Sequence, residues 1–352
     1  MVLRAVVGTY VADAAPTSSA TVSHLLPVSL SSASIRNTMA ELTALGLIEK
    51  PHASAGRIPT ESGLRLFVDH LLEAASLAEY DRRSLAEELE RVTGEDLMPR
   101  ISELLSRRTQ QLGFALRPRL ERLSLRHVSL VRIAENRLLV VLVPRVGAVL
   151  QRVVEDEGRD DQAELDRMAS DLNARVAGRT LSEVRVALAR ELHELESEAR
   201  GLLFRSLALG LRIFAGASAP EDAELVITTR SALLSQPEFN DPERIRAVLF
   251  ALETKERLVA VLERVVETGE VSVSLGEDLE EPALRSLAVV AVPYGQGGLA
   301  GQLDADADEY GAGPGGEPLG VVGVIGPSRM DYARVIPLVR YCSRLLTHKL
   351  RA

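Results

Sequence analysis

A helix, a glycine stop and an extended hairpin follow one another between residues 31 and 59, in SSASIRNTMAELTALGLIEKPHASAGRIP. Few folds accept that succession with these faces. Ser31 stands where a hydroxyl can accept an orphan N–H of a first helical turn. Ile35, Met39, Leu42 and Leu45 then recur at helical spacing, which predicts one apolar stripe. The opposite face carries Ala33, Arg36, Asn37, Ala40 and Ala44, small residues with two longer polar ones near the N-terminal end. Gly46 supplies a left-handed stop. Leu47 and Ile48 begin an extended run, and residues 53–56 make a tight turn before Arg57, Ile58 and Pro59. This is the layout of a winged helix-turn-helix, whose outer helix face fits a DNA major groove with its N-terminal residues nearest the base edges. Arginine can chelate guanine and asparagine adenine. Arg36 and Asn37 are therefore the expected base contacts, supported by Ser32 and Ser34, with Lys50, His52 and Arg57 on the hairpin for phosphate or minor groove. The competing reading is a surface helix beside a surface hairpin.

Charge limits how such a head could work. The chain carries a net charge of −9, but residues 1–72 hold five basic and five acidic side chains. A neutral head must act through a few placed cations rather than a broad field, which predicts weak non-specific binding and a shallow salt slope. The single cysteine, Cys342, excludes an intramolecular disulfide framework and any zinc site built on several cysteines, as expected for a reducing, cytoplasmic setting. No apolar run reaches the ~18 residues of a membrane span. The opening MVLRAVVGTYVADAA is interrupted by polar residues, and its Leu3, Val6, Val7, Tyr10 and Val11 follow helical spacing. It reads as a first domain helix rather than a signal segment. Tryptophan is absent and aromatics are 3%, so the cores must be built from Leu, Val, Ile and Ala.

Around the central stretch, residues 2–13 and 19–26 read as helices, the second with Val22, Leu25 and Leu26 turned inward, and Pro27 begins the turn toward Ser31. Thr60 caps another helix carrying Leu64, Phe67, Val68, Leu71 and Leu72. Residues 76–112 are charged and helical with a broken heptad, which favours a solvated connector over a coiled coil. The period then changes. Residues 128–133, 137–143 and 148–154 read as strands, 162–177 and 181–214 as acidic helices, and 225–229 as a short strand. An amphipathic helical region at 242–268, strands at 271–275, 286–293 and 319–325, and a closing helix from 330 complete the chain. Strands early, helices inside and strands late suggest one mixed sheet interrupted by an insertion.

Reactive chemistry is not evident. Gly295-Gln296-Gly297-Gly298 lacks the Lys-Ser/Thr of a phosphate loop. Asp304, Asp306 and Asp308 alternate within a Gly-rich acidic loop but lack the glycine and closing glutamate of a calcium loop. The six histidines show no ligand spacing. Asp331, Tyr332 and Arg334 open a helix, where a docking role suits them better than catalysis, since no nucleophile and base accompany them. The expectation is no enzyme, no cofactor and no metal.

The pattern S-x-A-S-I-R-N-x-M-A-x-L, followed by GLIEKPHASAGRIPT, resembles the N-terminal domain of the bacterial heat-inducible transcription repressor family, HrcA. The likeness continues in Gly63–Asp69, in Gln236–Phe239 and in Gly326–Ile336. Ser32 departs from it, since family members usually carry proline there. The resemblance implies an α+β multidomain chain with an N-terminal winged helix-turn-helix and a GAF-like α/β domain hosting an inserted dimerisation domain. The expected boundaries are 1–75 for the DNA-binding head, 76–120 for a helical connector, 121–154 with 239–352 for the GAF-like domain, and 155–238 for the insertion. It also implies a homodimer on double-stranded DNA at an inverted-repeat CIRCE operator. There it would repress chaperonin and DnaK-operon genes, kept active by the GroEL chaperonin and released on heat shock. The alternative is a small-molecule-sensing regulator that uses the GAF-like domain as its sensor.

Overall fold

The computed structural model describes residues 1–26, 31–52, 55–71, 76–118, 122–145, 149–156, 160–194, 202–215, 225–229, 246, 248, 250, 256–279, 284–295 and 318–351. The turn expected at 27–30, the hairpin tip at 53–54, Leu72, the segment 236–239 and the acidic loop with Asp304, Asp306 and Asp308 lie outside the described residues.

The first 71 residues form a block of four helices and a ribbon. These are α1 (Val2–Asp13), α2 (Ser19–Leu25), α3 (Ser32–Ala44), β1 (Ile48–Glu49), β2 (Ile58–Pro59) and α4 (Glu61–Leu66), the last continuing as a π-helical turn over Phe67–Leu71. Val6, Val7, Val22, Ile35, Ile48 and Leu64 fill its centre and are essentially inaccessible to water. β1 and β2 pair antiparallel, with Ile48 opposite Pro59. Leu25, expected inward, is 56% exposed and borders an open groove beside Ala5 and Gly8 of α1.

Two helices follow, α5 (Glu79–Leu89) and α6 (Leu97–Thr109). The expected solvated connector is not what forms. Leu97, Met98, Ile101, Leu104 and Leu105 of α6 are buried, as are Leu85 and Leu89 of α5. The reason is β3 (Leu112–Leu116), a short strand onto which α6 folds back through Gln110, whose φ of 57° makes the turn. Ser102 and Ser106 of α6 donate to the carbonyls of Gly113 and Gln111 at 2.8 and 2.7 Å. A Cβ on Gly113 would stand 2.1 Å from the Ser102 carbonyl, so only glycine permits this approach.

β3 belongs to a five-stranded antiparallel sheet with β7 (Leu225–Ile227), β8 (Ser272–Leu275), β9 (Leu287–Tyr294) and β10 (Gly320–Pro327), in the order β7-β3-β10-β9-β8. Helices cover both faces, which is why β9 and β10 read as unbroken apolar runs rather than alternating ones. Ala115, Val290, Val292, Val322 and Val324 face α6 and the closing helix, α11 (Tyr332–Arg351). Phe114, Val289, Ala291, Val321 and Ile325 face α10 (Glu256–Thr268). Buried Tyr294 and Tyr332 donate to the carbonyls of Leu116 and Ser328, each at 2.7 Å, and burial holds both hydroxyls neutral by raising their pKa.

The strands expected to open this sheet form a separate one. β4 (Leu125–Ala134), β5 (Arg137–Pro144) and β6 (Leu150–Glu155) pair only with one another among the described residues. Their inner face packs on α7 (Gln162–Val176), α8 (Leu181–Glu194) and α9 (Leu202–Ala215) in a core of its own. The sequence pattern does not separate the two sheets, because alternation reports that a strand is half-buried, not which strand it joins. The unit lies between β3 and β7, which are themselves paired through Phe114 and Ile227, so the chain leaves and re-enters the main sheet at neighbouring strands. This unit, with a sheet and core of its own, begins with β4 at Leu125.

Candidate nucleic-acid interface

Local chemistry builds the exposed helix from its cap. Ser31 Oγ accepts the N–H of Ser34 at 3.1 Å and lies 2.9 Å from the Ser34 hydroxyl, closing the first turn. Ile35 and Met39, 0% and 5% exposed, hold the helix against α1 and α2. At about 100° per residue, Met39 and Leu42 fall within ~40° of Ile35, while Leu45 lies ~80° off that line. Leu45 is accordingly 71% exposed as the capping residue, a correction to the expected four-residue stripe. Gly46 then turns the chain with φ 71°.

Ala33, Arg36, Asn37, Ala40 and Ala44 all face solvent, as do Ser32 and Ser34. Among the described residues the side chains of Arg36 and Asn37 make no hydrogen bond or ion pair, so both are available to an outside partner. Ser34 is already engaged with the cap, which leaves Ser32 the freer hydroxyl at the helix start. The unpaired N–H groups of this first turn and the helix dipole favour an anion there, such as a phosphate.

The ribbon divides its three expected cations. Lys50 and His52 are exposed beyond β1. Arg57 is half-buried, and its Nε donates to Thr43 Oγ1 at 3.1 Å on the last turn of α3. Arg57 thus lies one position beyond the Glu49–Ile58 pair, toward the tip of the ribbon, and braces α3 from there. Its backbone makes a reciprocal pair with Thr17, N to O at 2.8 Å in both directions. Thr17 is a ribbon partner that sequence reading missed. Its one signal is Gly56, where a Cβ would meet the Thr17 carbonyl at 2.4 Å. Thr60 closes the ribbon by donating its hydroxyl to the Gly46 carbonyl at 2.6 Å, while its N–H reaches the Leu47 carbonyl at 3.1 Å.

Elsewhere, Asp331 is exposed at the start of α11, Tyr332 is buried, and Arg334 is exposed, so the three do not converge on a reactive centre. No metal-binding group of His, Cys, Asp or Glu occurs among the described residues. Cys342 is buried, and burial pushes its thiol up to about 12. Among the described residues no helix is long and apolar enough to cross a membrane.

Comparison with known proteins gives this geometry a context. Three relatives carry the name heat-inducible transcription repressor HrcA. That of Xanthomonas campestris pv. campestris is 34% identical over 345 residues, covering 98% of this chain and 93% of its own length. That of Anaeromyxobacter sp. strain K is 35% identical over 358 residues, covering 100% and 95%. That of Nitratidesulfovibrio vulgaris is 35% identical over 355 residues, covering 99% and 94%. A solved structure described as a hypothetical protein at 2.2 Å resolution shares the fold, with a TM-score of 0.57 at 24% identity over 99% of this chain and 97% of that one. The relatives' names define a class, transcription repressors of the heat response. A family model, HrcA protein C terminal domain, matches residues 95–336, and the chain belongs to the HrcA family.

Proposed function

We propose that the chain is a dimeric DNA-binding repressor of heat-shock genes whose N-terminal block is a winged helix-turn-helix reading an inverted-repeat CIRCE operator. The observation that carries this reading is the exposed first half of α3, where Arg36 and Asn37 stand free on a helix anchored from behind by Ile35 and Met39. Arg36 and Asn37 take the base edges, Ser32 and Ser34 the helix start, and Lys50 and His52 the flanking backbone. Arg57 serves indirectly, by holding the ribbon against α3.

The inserted unit supports the dimer. The outer face of its sheet carries Val131, Ile133 and Val153 at 40%, 48% and 47% exposure, and Val131, Leu139 and Val153 sit in one cross-strand row. An apolar row on an otherwise finished domain fits a second copy of the same surface. The free edge of β4 is closed to strand addition. Asn173 of α7 accepts from the Val128 N–H at 2.7 Å and donates to its carbonyl at 2.9 Å. Strand addition at β4 is thereby blocked, and we assign the apolar face to the partner copy.

We assign the five-stranded sheet the role of a GAF-like scaffold, and GroEL that of the partner that keeps the repressor active until heat-damaged proteins compete for it. Both faces of this sheet are packed with side chains, which favours a scaffold over a small-molecule sensor. The test is a gel shift of the full chain on a CIRCE duplex and on scrambled DNA, with and without purified chaperonin. Arg36→Ala should lose about 1–3 kcal/mol on the operator and almost nothing on scrambled DNA. Equal loss on both would make Arg36 a phosphate contact. An operator affinity that ignores chaperonin but follows a metabolite would favour the sensor.

A further inference from the structure

Two polar junctions tie the N-terminal block to the sheet body. At the first, α4 presents Glu61 and Arg65 to the turn 276–279 after β8. The Glu61 carboxylate accepts the Glu277 N–H at 3.2 and 3.4 Å, and the Arg65 guanidinium pairs with Asp278. Asp278 is itself fixed by accepting the Leu275 N–H at 2.8 Å. Gly276 allows this approach, since a Cβ there would stand 2.7 Å from Glu61 Oε2 and 2.5 Å from the Arg285 carbonyl. At the second, Arg329, in the Gly326–Ile336 segment, donates Nη1 to the Val11 carbonyl in the last turns of α1 at 3.3 Å. Between the junctions Leu64, Leu275, Met330 and Tyr332 belong to one continuous buried cluster.

Burial and polarity divide the work. The shared apolar cluster holds the two parts together but is non-directional. The Arg65–Asp278 pair is 39% and 42% exposed, so it adds little stability. Its geometry, and that of the Glu61 and Arg329 hydrogen bonds, instead fixes an angle. Rotation of the block about the cluster would break all three contacts. We propose that Glu61, Arg65, Asp278 and Arg329 are positioning residues that clamp the head on the body and so set the separation of the two α3 helices in a dimer. The proposal rests on the reading above that α3 meets DNA and that the chain works as a dimer. A dimer reads two half-sites at one spacing only if each head is held at one angle.

The experiment measures binding of the full chain to three kinds of duplex: one half-site, the CIRCE repeat, and the repeat with its spacer lengthened or shortened by one and two base pairs. The unaltered protein should prefer the natural spacing. In the double variant Asp278→Asn with Arg329→Gln, affinity for the natural repeat should fall about fivefold or more. Preference among spacers should shrink to within about twofold, and half-site affinity should stay unchanged. Because that variant could fold poorly, Arg65→Gln, which leaves the Asp278–Leu275 bond in place, provides a second arm and should lose spacing preference in the same direction. Full spacing preference in the double variant, or in Arg65→Gln, overturns the clamp while leaving the DNA reading intact. Absence of half-site and operator binding by the unaltered protein removes the DNA reading and the clamp with it.

Discussion

Gly63 and Gly8 allow the same chemical change to be made at two helical sites with opposite expected signs. Gly63 lies in the first turn of α4, where its N–H donates to Thr60 Oγ1 at 3.1 Å. A Cβ there would stand 2.0 Å from the Leu47 carbonyl oxygen, a backbone atom. Leu47 must therefore retreat by about 1 Å, and its carbonyl is the one that accepts the Thr60 N–H at 3.1 Å. Loss of that bond costs about 1 kcal/mol, and overpacking adds about 1–3 kcal/mol. The gain in helix propensity returns at most about 1 kcal/mol. Gly63→Ala should thus destabilise the block by about 1–3 kcal/mol. Gly8, in α1, meets nothing within 4 Å of its added Cβ, so Gly8→Ala should stabilise by about 0.5–1 kcal/mol. Native-state hydrogen exchange on the full chain, followed in peptides covering residues 31–66, reports the local opening free energy without assuming a single unfolding step. Exchange there should quicken about 5- to 150-fold in Gly63→Ala. In Gly8→Ala it should not quicken. If Gly63→Ala exchanges no faster than the unaltered chain, the ribbon is not held on α4 at that distance and the argument from close approach is wrong.

Leu45 caps α3 in the open while Ile35 is buried within it, so Leu45→Ser should change stability by less than about 0.5 kcal/mol and Ile35→Ala should cost about 2–5 kcal/mol, read by the same exchange experiment. Glu88 gives the pH dependence. Partial burial raises its pKa, but hydrogen bonds and charge from Arg108 and Arg107 outweigh that and leave it below its usual 4.5. A carboxyl lowered by folding contributes stability that is complete above 4.5 and is lost as pH falls through the folded value. Glu88→Gln should therefore flatten the acid limb of stability against pH between pH 5 and the acid transition, measured by urea unfolding followed by circular dichroism.

The parts of the head that were legible in the sequence are those fixed within a few residues. Ser31 and Thr60 cap helices, and Gly46 turns left-handed, because each acts on backbone atoms three or four positions away. Arg36 and Asn37 were placed correctly on the solvent face by the helical period alone. What failed was long-range. β3 has only five residues, and its partners β7 and β10 lie more than a hundred and more than two hundred positions on. Without β3, α6 has no visible reason to be buried and reads as a connector. The ties of Arg57 were illegible for the same reason: Thr43 and Thr17, which hold its side chain and its backbone, lie fourteen and forty positions away.

These long-range contacts bear on how a neutral head could bind tightly. With five cations balanced by five anions in residues 1–72, each head draws little on the general attraction of phosphate. On the proposed dimeric reading, affinity then comes from two heads engaging together, and the second engagement is favourable only when its effective concentration at the other half-site is high. A loosely hinged head spreads that concentration over many angles. A head fixed by Glu61, Arg65 and Arg329 concentrates it at one. A strongly basic head could dispense with such a clamp and tolerate several spacings. The low charge of this one and the polar junctions beneath it are, on this reasoning, two halves of one solution. The salt slope and the spacer preference should therefore move together: adding lysines to the exposed face of α2 should steepen the first and weaken the second.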